Sequence, residues 1–168
     1  MFNSMVVALL LLSTLSGAAL TPANASDAHL GTMMFLTGSW RCDGVFPASG
    51  KTISSTMTFG LDMGGAALVK HHDDTSSQAS YHAIELWAYD TAEKRFSAAV
   101  QDNSGGVREF TSPGWVGSTL VWTSASSVKP LQQFAYKKRT MDVFSVDWRV
   151  SRDGSNYVVG DTLNCKRS

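Results

Sequence analysis

The densest group of side chains able to hold a metal or move a proton is His71-His72-Asp73-Asp74, with His82 further along the chain. In an extended segment successive side chains alternate, so His71 and Asp73 share one face and His72 and Asp74 the other. A turn centred near Ser76-Ser77 would set His71 across from His82. Asp73 would then complete a His-His-Asp set, the minimum for a catalytic zinc or similar ion. The competing reading of the same residues is a polar hairpin end in water. Glu85 and Asp147 form a conceivable acid–base pair, but charged residues are seldom buried unpaired, so both are read as surface carboxylates.

Other chemistry is excluded on spacing. The stretch Gly44-Val45-Phe46-Pro47-Ala48-Ser49-Gly50-Lys51-Thr52 looks like a phosphate-binding loop. It has one residue too many between its glycines, a proline inside the loop, and a strand pattern where a helix should follow. It is read as a hairpin loop. There is no Gly-x-Ser-x-Gly nucleophile elbow, no Cys-x-x-Cys pair, and no catalytic residue is assigned.

Whatever these residues do, β-strands must position them. After a short helical pattern at 27–36, with Leu30, Met33, Met34 and Phe35 at helical spacing, the period changes to two beyond Gly38. Runs at 39–46, 52–61, 66–72, 81–89, 95–101, 107–111, 119–124, 131–138, 141–150 and 157–165 read as ten strands, separated by Gly, Asn, Asp and Pro turns. Alternation is clearest in the ninth, where Phe144, Val146, Trp148 and Val150 oppose Val143, Ser145, Asp147 and Arg149. The fourth carries large residues on both faces: Ile84, Leu86 and Ala88 against Tyr81, Glu85, Trp87 and Tyr89. Such a strand suits a wall that lines a cavity on one side and packs under another element on the other.

Short turns between successive strands suggest a meander, and a meander of about ten strands curls shut to bury its edges. The expected architecture is therefore all-β: a closed antiparallel meander barrel of about ten strands with a short N-terminal helix. An open sandwich is the alternative. The segment 1–25, with an aliphatic run at 6–12 and the small-x-small pattern Ala23-Asn24-Ala25, reads as a cleavable secretory signal peptide. Its n-region has no Lys or Arg, and its apolar run is too short to span a bilayer. One domain at 26–168 follows, with an exported destination, periplasmic or extracellular.

In an oxidising compartment Cys42 and Cys165 are expected to pair, with two free buried thiols as the alternative. In a closed barrel the first and last strands become neighbours, so this bridge would clasp the closure. With 14 basic and 14 acidic residues and no basic block, nucleic acid and anionic membranes are poor partners. A charged fraction of 17% suits an exported β domain better than a helical one.

The residues Phe35-Leu36-Thr37-Gly38-Ser39-Trp40 carry the Gly-x-Trp pattern that opens lipocalin-like barrels after a short helix. Further motifs are Leu61-Asp62-Met63-Gly64-Gly65, Trp87-Ala88-Tyr89-Asp90, Asp102 with Gly105-Gly106, Gly114-Trp115-Val116-Gly117 and Ser151-Arg152-Asp153-Gly154. Together they resemble an uncharacterised bacterial family of lipocalin-like domains, a domain of unknown function, distantly similar to nitrobindin-like and fatty-acid-binding barrels. The resemblance implies a calycin barrel closed by Gly38 and Trp40, with Arg149 or Arg167 stacked on the indole. It also implies an interior site for small hydrophobic molecules or haem. The haem-binding branch uses a histidine near its C-terminal end; the histidines here are His29, His71, His72 and His82, so no cofactor is expected.

The expected function is binding of a small, mainly apolar molecule inside the barrel, with Trp87, Tyr89, Trp122, Phe134 and Trp148 as candidate lining residues. The alternatives are an enzyme using the same pocket with His71, His82 and Glu85, and an interaction module whose barrel is filled with side chains.

Overall fold

A computed structural model describes residues 25–75 and 81–168. The leader expected at 1–25 lies outside the described residues but for Ala25, as does the turn expected around Ser76-Ser77.

A short helix, α1 (Ala25–Leu30), runs into a 3-10 segment (Gly31–Leu36). The strands follow: β1 (Gly38–Phe46), β2 (Lys51–Asp62), β3 (Ala67–Asp74), β4 (His82–Asp90), β5 (Arg95–Asp102), β6 (Val107–Ser112), β7 (Trp115–Val116), β8 (Thr119–Ser124), β9 (Leu131–Lys138), β10 (Val143–Ser151) and β11 (Val158–Arg167). Their order is β6-β5-β4-β3-β2-β1-β11-β10-β9-β8, all antiparallel, and β6 pairs with β8 to close the ring. Ten strands thus form a closed meander barrel, with the two-residue β7 attached to β8 alone. β7 escaped the sequence reading because two residues between glycines carry no alternation. The phosphate-loop look-alike is the β1–β2 hairpin, with Phe46 opposite Lys51.

Closure puts β1 beside β11, with Cys42 directly opposite Cys165, and the two form a disulfide. The barrel interior is divided along its axis. At the helix end, Leu30, Met33 and Leu36 cap a packed aromatic stack: Trp87 and Trp122 rings lie 4.8 Å apart, and Phe59 and Phe144 meet edge to face. Gly38 opens β1 with φ +104°, a backbone turn that non-glycine residues rarely adopt, and it delivers Trp40 into this end. The indole Nε1–H donates to the Leu36 carbonyl at 2.6 Å. Arg167 covers the ring at 4.3 Å and donates to the Phe35 and Thr37 carbonyls, which staples the 3-10 segment to the last strand. Arg149, the other candidate for stacking on Trp40, instead pairs with Asp147 at 2.8 Å. The Gly114–Gly117 excursion carries Trp115 against Phe35, with its Nε1–H donating to the Met33 sulfur, so β7 secures the same cap from outside.

Candidate functional site

The opposite end of the barrel is not filled. A half-open cavity of about 440 Å³ lies between the ends of β1, β3, β5 and β10 and the starts of β2, β6, β9 and β11. Its wall is largely apolar: Phe46, Ile53, Phe134, Trp148 and Leu163, with Met57 and Val146 deeper in. A pocket of this size with an apolar wall and a few convergent polar groups is the usual form of a small-molecule site.

Its floor is a buried ion pair. Lys70 on β3 faces Glu85 on β4, directly opposite in the ladder, with Nζ 2.7 Å from Oε1. The ammonium also donates to the Tyr136 hydroxyl at 3.0 Å, and Trp87 Nε1–H donates to the second Glu85 oxygen at 2.8 Å. Burial alone would lower the Lys70 pKa, but the Glu85 carboxylate and the Tyr136 hydroxyl outweigh it and hold the ammonium above the ordinary lysine range. Tyr136 is held above the ordinary phenol range, chiefly by burial. Glu85, read from sequence as a surface carboxylate, is therefore inside: β4 turns Ala83, Glu85 and Trp87 inward and exposes Ile84 and Leu86. The rule against buried charges gives way because a cation of matching depth lies directly across the ladder.

Above the floor stand His72 and Asp74, which share the inward face of β3 with Lys70. Burial and the nearby Lys70 charge drive the His72 pKa down to about 2, so its imidazole is neutral. Across the cavity Asp161 on β11 accepts the Trp148 backbone N–H. Burial, with the Asp74 and Asp147 charges adding, pushes its carboxyl up to about 6 against the opposing effects of that N–H and Lys70. Arg108 on β6 reaches the mouth, paired with Asp102 and donating to Gln132 Oε1 and the Tyr81 hydroxyl.

Local backbone geometry sets the Trp148 and Asp161 positions. The β10–β11 ladder shifts register between Trp148 and Arg149, which leaves Gly160 as the extra residue of a bulge. A Cβ on Gly160 would sit 2.4 Å from the Trp148 ring, so only glycine lets the indole lie against this strand. An inward-facing tryptophan and an inward-facing carboxylate thereby share one lip of the cavity.

Of the candidate lining residues, Phe134 and Trp148 border this cavity. Trp87 and Trp122 are packed in the filled half, and Tyr89 stacks on His29 of α1 with ring centroids 3.6 Å apart. The histidine set is placed differently from the expected register. His71 lies opposite Ile84, and His82 opposite Asp73, which it meets at 2.8 Å through Nδ1. His71, Asp73 and His82 are exposed on the outer face, and no group of three metal-ligating side chains is assembled among the described residues. The cavity residues that sequence reasoning missed are Lys70, Arg108, Tyr136 and Asp161, together with the inward position of His72 and Asp74.

The raised Asp161 carboxyl makes a stability prediction. A folded-state pKa of about 6, above the unfolded value of about 3.9, means that the ionised form is disfavoured in the fold. The Asp161 contribution to stability therefore falls as pH rises from about 4 through about 6 and then levels off, superimposed on the rising contribution of His72, whose pKa is lowered. Asp161→Asn lacks this loss, so it is expected to be more stable than wild type by about 2 kcal/mol at neutral pH and indistinguishable near pH 4. Urea unfolding across that range measures the difference. A variant less stable than wild type at neutral pH would count against a desolvated carboxylate here.

The fold and cavity define a class: a closed antiparallel β-barrel plugged at one end and open to a small-molecule-sized cavity at the other. No protein-family model and no curated protein matches the sequence. Solved structures do match. Rv2717c from M. tuberculosis superposes with a TM-score of 0.63 over 83% of this chain and 97% of its own, at 12% identity. A protein of unknown function from the DUF3598 family, from Nostoc punctiforme PCC 73102, superposes with a TM-score of 0.50 over 81% of this chain, at 13% identity. This chain spans 49% of that protein's length. At these identities the likeness concerns the fold alone.

Proposed function

We propose that this protein binds a small, mainly apolar molecule in the open half of its barrel, and that it does so outside the cytoplasm. The observation that carries the reading is the division of the interior. One half is filled with buried aromatic side chains, while the other keeps about 440 Å³ behind an apolar wall. A barrel serving only as a scaffold has no need of a buried Lys70–Glu85 pair beneath an unfilled space, since apolar side chains there would close it at no electrostatic cost. The resemblance to lipocalin-like barrels points the same way. The export reading is supported by the disulfide, which persists in oxidising compartments, and by the signal-like sequence at 1–25. No helix among the described residues is long and apolar enough to cross a membrane. Sequencing the N-terminus of the protein from its native cell tests export; a chain beginning at Met1 would overturn it.

Binding is tested with an uncharged apolar probe titrated into protein stripped of lipid. Of the five tryptophans only Trp148 borders the cavity, so its emission is the one that ligand changes. Tryptophan emission is expected to shift on titration, and the shift to disappear in Trp148→Phe but persist in Trp122→Phe. Bound ligand also stabilises the fold by about 2.7 kcal/mol at a hundredfold excess over its Kd, which raises the Tm. Unchanged emission and unchanged Tm together would leave the barrel as an interaction module.

A further inference from the structure

We propose that the ligand of this cavity is an amphipathic organic cation, an amine on an apolar body, whose ammonium group is held by Asp74 and Asp161 with His72 accepting a further N–H. The proposal rests on the binding reading above and adds the chemical class.

It follows from accounting for every charged side chain that lines the cavity. Both cations already have partners of their own: Lys70 is held by Glu85 and Tyr136, and Arg108 by Asp102, with further bonds from Arg108 to Gln132 and Tyr81. Neither is free to receive an anionic headgroup unless its carboxylate is displaced. The two remaining carboxylates have no cation. Asp74 has a side chain only 4% exposed, and its Oδ1 is buried with no hydrogen-bond partner among the described residues. His72 Nε2 lies 3.7 Å from it, beyond hydrogen-bond distance, and is likewise buried without a partner. Each carboxylate holds one backbone N–H, Asp74 from Tyr81 and Asp161 from Trp148. A buried acceptor left unmade costs more than a made bond gains, so two such atoms facing one cavity mark where a ligand's donors belong.

A primary ammonium brings three donors, one for each of the three acceptors, and a positive charge that neutralises one of the two carboxylates. An alkanol brings one donor and leaves the carboxylates uncompensated. A carboxylate would add a third negative charge beside Asp74 and Asp161. The apolar remainder of the ligand would lie along Phe46, Ile53, Phe134 and Trp148 toward the mouth.

The test is isothermal titration calorimetry with three probes of one medium chain length, the alkylammonium, the alkanol and the carboxylate, at about pH 7.5, above the value of about 6 to which the Asp161 carboxyl is raised. The ammonium is expected to bind at least about tenfold more tightly than either of the others. In Asp74→Asn/Asp161→Asn the ratio of ammonium to alkanol affinity is expected to fall to about one. The double variant removes two desolvated charges, and its Tm serves as the check that it folds. Equal affinities, a preference for the carboxylate, or a preference that survives the double substitution would overturn the assignment while leaving cavity binding intact. If none of the three probes binds, the binding reading and the cation assignment fall together.

Discussion

Replacement of Cys42 and Cys165 together by alanine is expected to destabilise the protein by about 4 kcal/mol, lowering the Tm by roughly 10–15 °C. The two cysteines are 123 residues apart, so the bridge closes nearly the whole barrel sequence into one loop. On the chain-entropy account, stabilisation grows with the logarithm of loop length and reaches about 4.7 kcal/mol near a hundred residues. Two features of the fold make this bridge a large contributor. The β1–β11 ladder joins the strands of greatest sequence separation, which makes it the pairing with the highest closure entropy. The other pairing that closes the ring, β6 with β8, has only two residue pairs, Phe110 with Ser124 and Thr111 with Thr123. Once β1 separates from β11, little on the far side holds the cylinder shut. Thermal unfolding of oxidised wild type and the double variant measures the effect. A Tm difference of only a degree or two would mean that the ladder and the Arg167 clasp hold closure unaided.

The barrel and its bridge were legible because both depend on features that survive in one dimension. Turn residues between alternating runs fix the number of strands, and a meander order follows from short connections. The cysteines then fall on neighbouring strands by topology alone. The interior was less legible, although part of it could have been read further. Trp40 plugs the barrel, so Cys42, two residues on, must face inward, and its partner Cys165 with it. The same parity carries Leu163 and Asp161 to the inside, ahead of the bulge at Gly160. Likewise Trp87 inside requires Glu85 inside; the general rule that carboxylates sit in water was given precedence over strand parity.

What could not be read is which half of the barrel each inward residue occupies. Trp87, Trp122 and Trp148 are all inward-facing, but the first two pack against each other in the filled half and the third borders the cavity. That distinction depends on barrel shear, which sequence periodicity does not encode. The metal reading of His71, His82 and Asp73 depended on a register set by the turn. A two-residue difference in that register placed Asp73, not His71, opposite His82, and strand parity left His72 and Asp74 as the pair facing the cavity.

The floor of the cavity yields the other large effect. Lys70→Met or Glu85→Gln alone is expected to destabilise the protein by about 3–5 kcal/mol, because each leaves a buried group without its counter-charge. Both side chains are nearly inaccessible, at 2% and 5% exposure, so water cannot take the missing partner's place. Each substitution also strands a neutral neighbour. Without Lys70 the Tyr136 hydroxyl loses its donor, and without the Glu85 charge the Trp87 indole N–H loses its ionic acceptor. Replacing both partners by apolar residues, Lys70→Met with Glu85→Leu, removes the need for compensation and is expected to recover most of the loss, since a buried pair is often no more stabilising than a well-packed apolar one. Urea unfolding of wild type, Lys70→Met, Glu85→Leu and the variant carrying both forms a double-mutant cycle, and the coupling between the sites is expected to exceed about 2 kcal/mol. Single substitutions that cost less than about 1 kcal/mol would show the pair to be solvated in solution, with the cavity floor open to water.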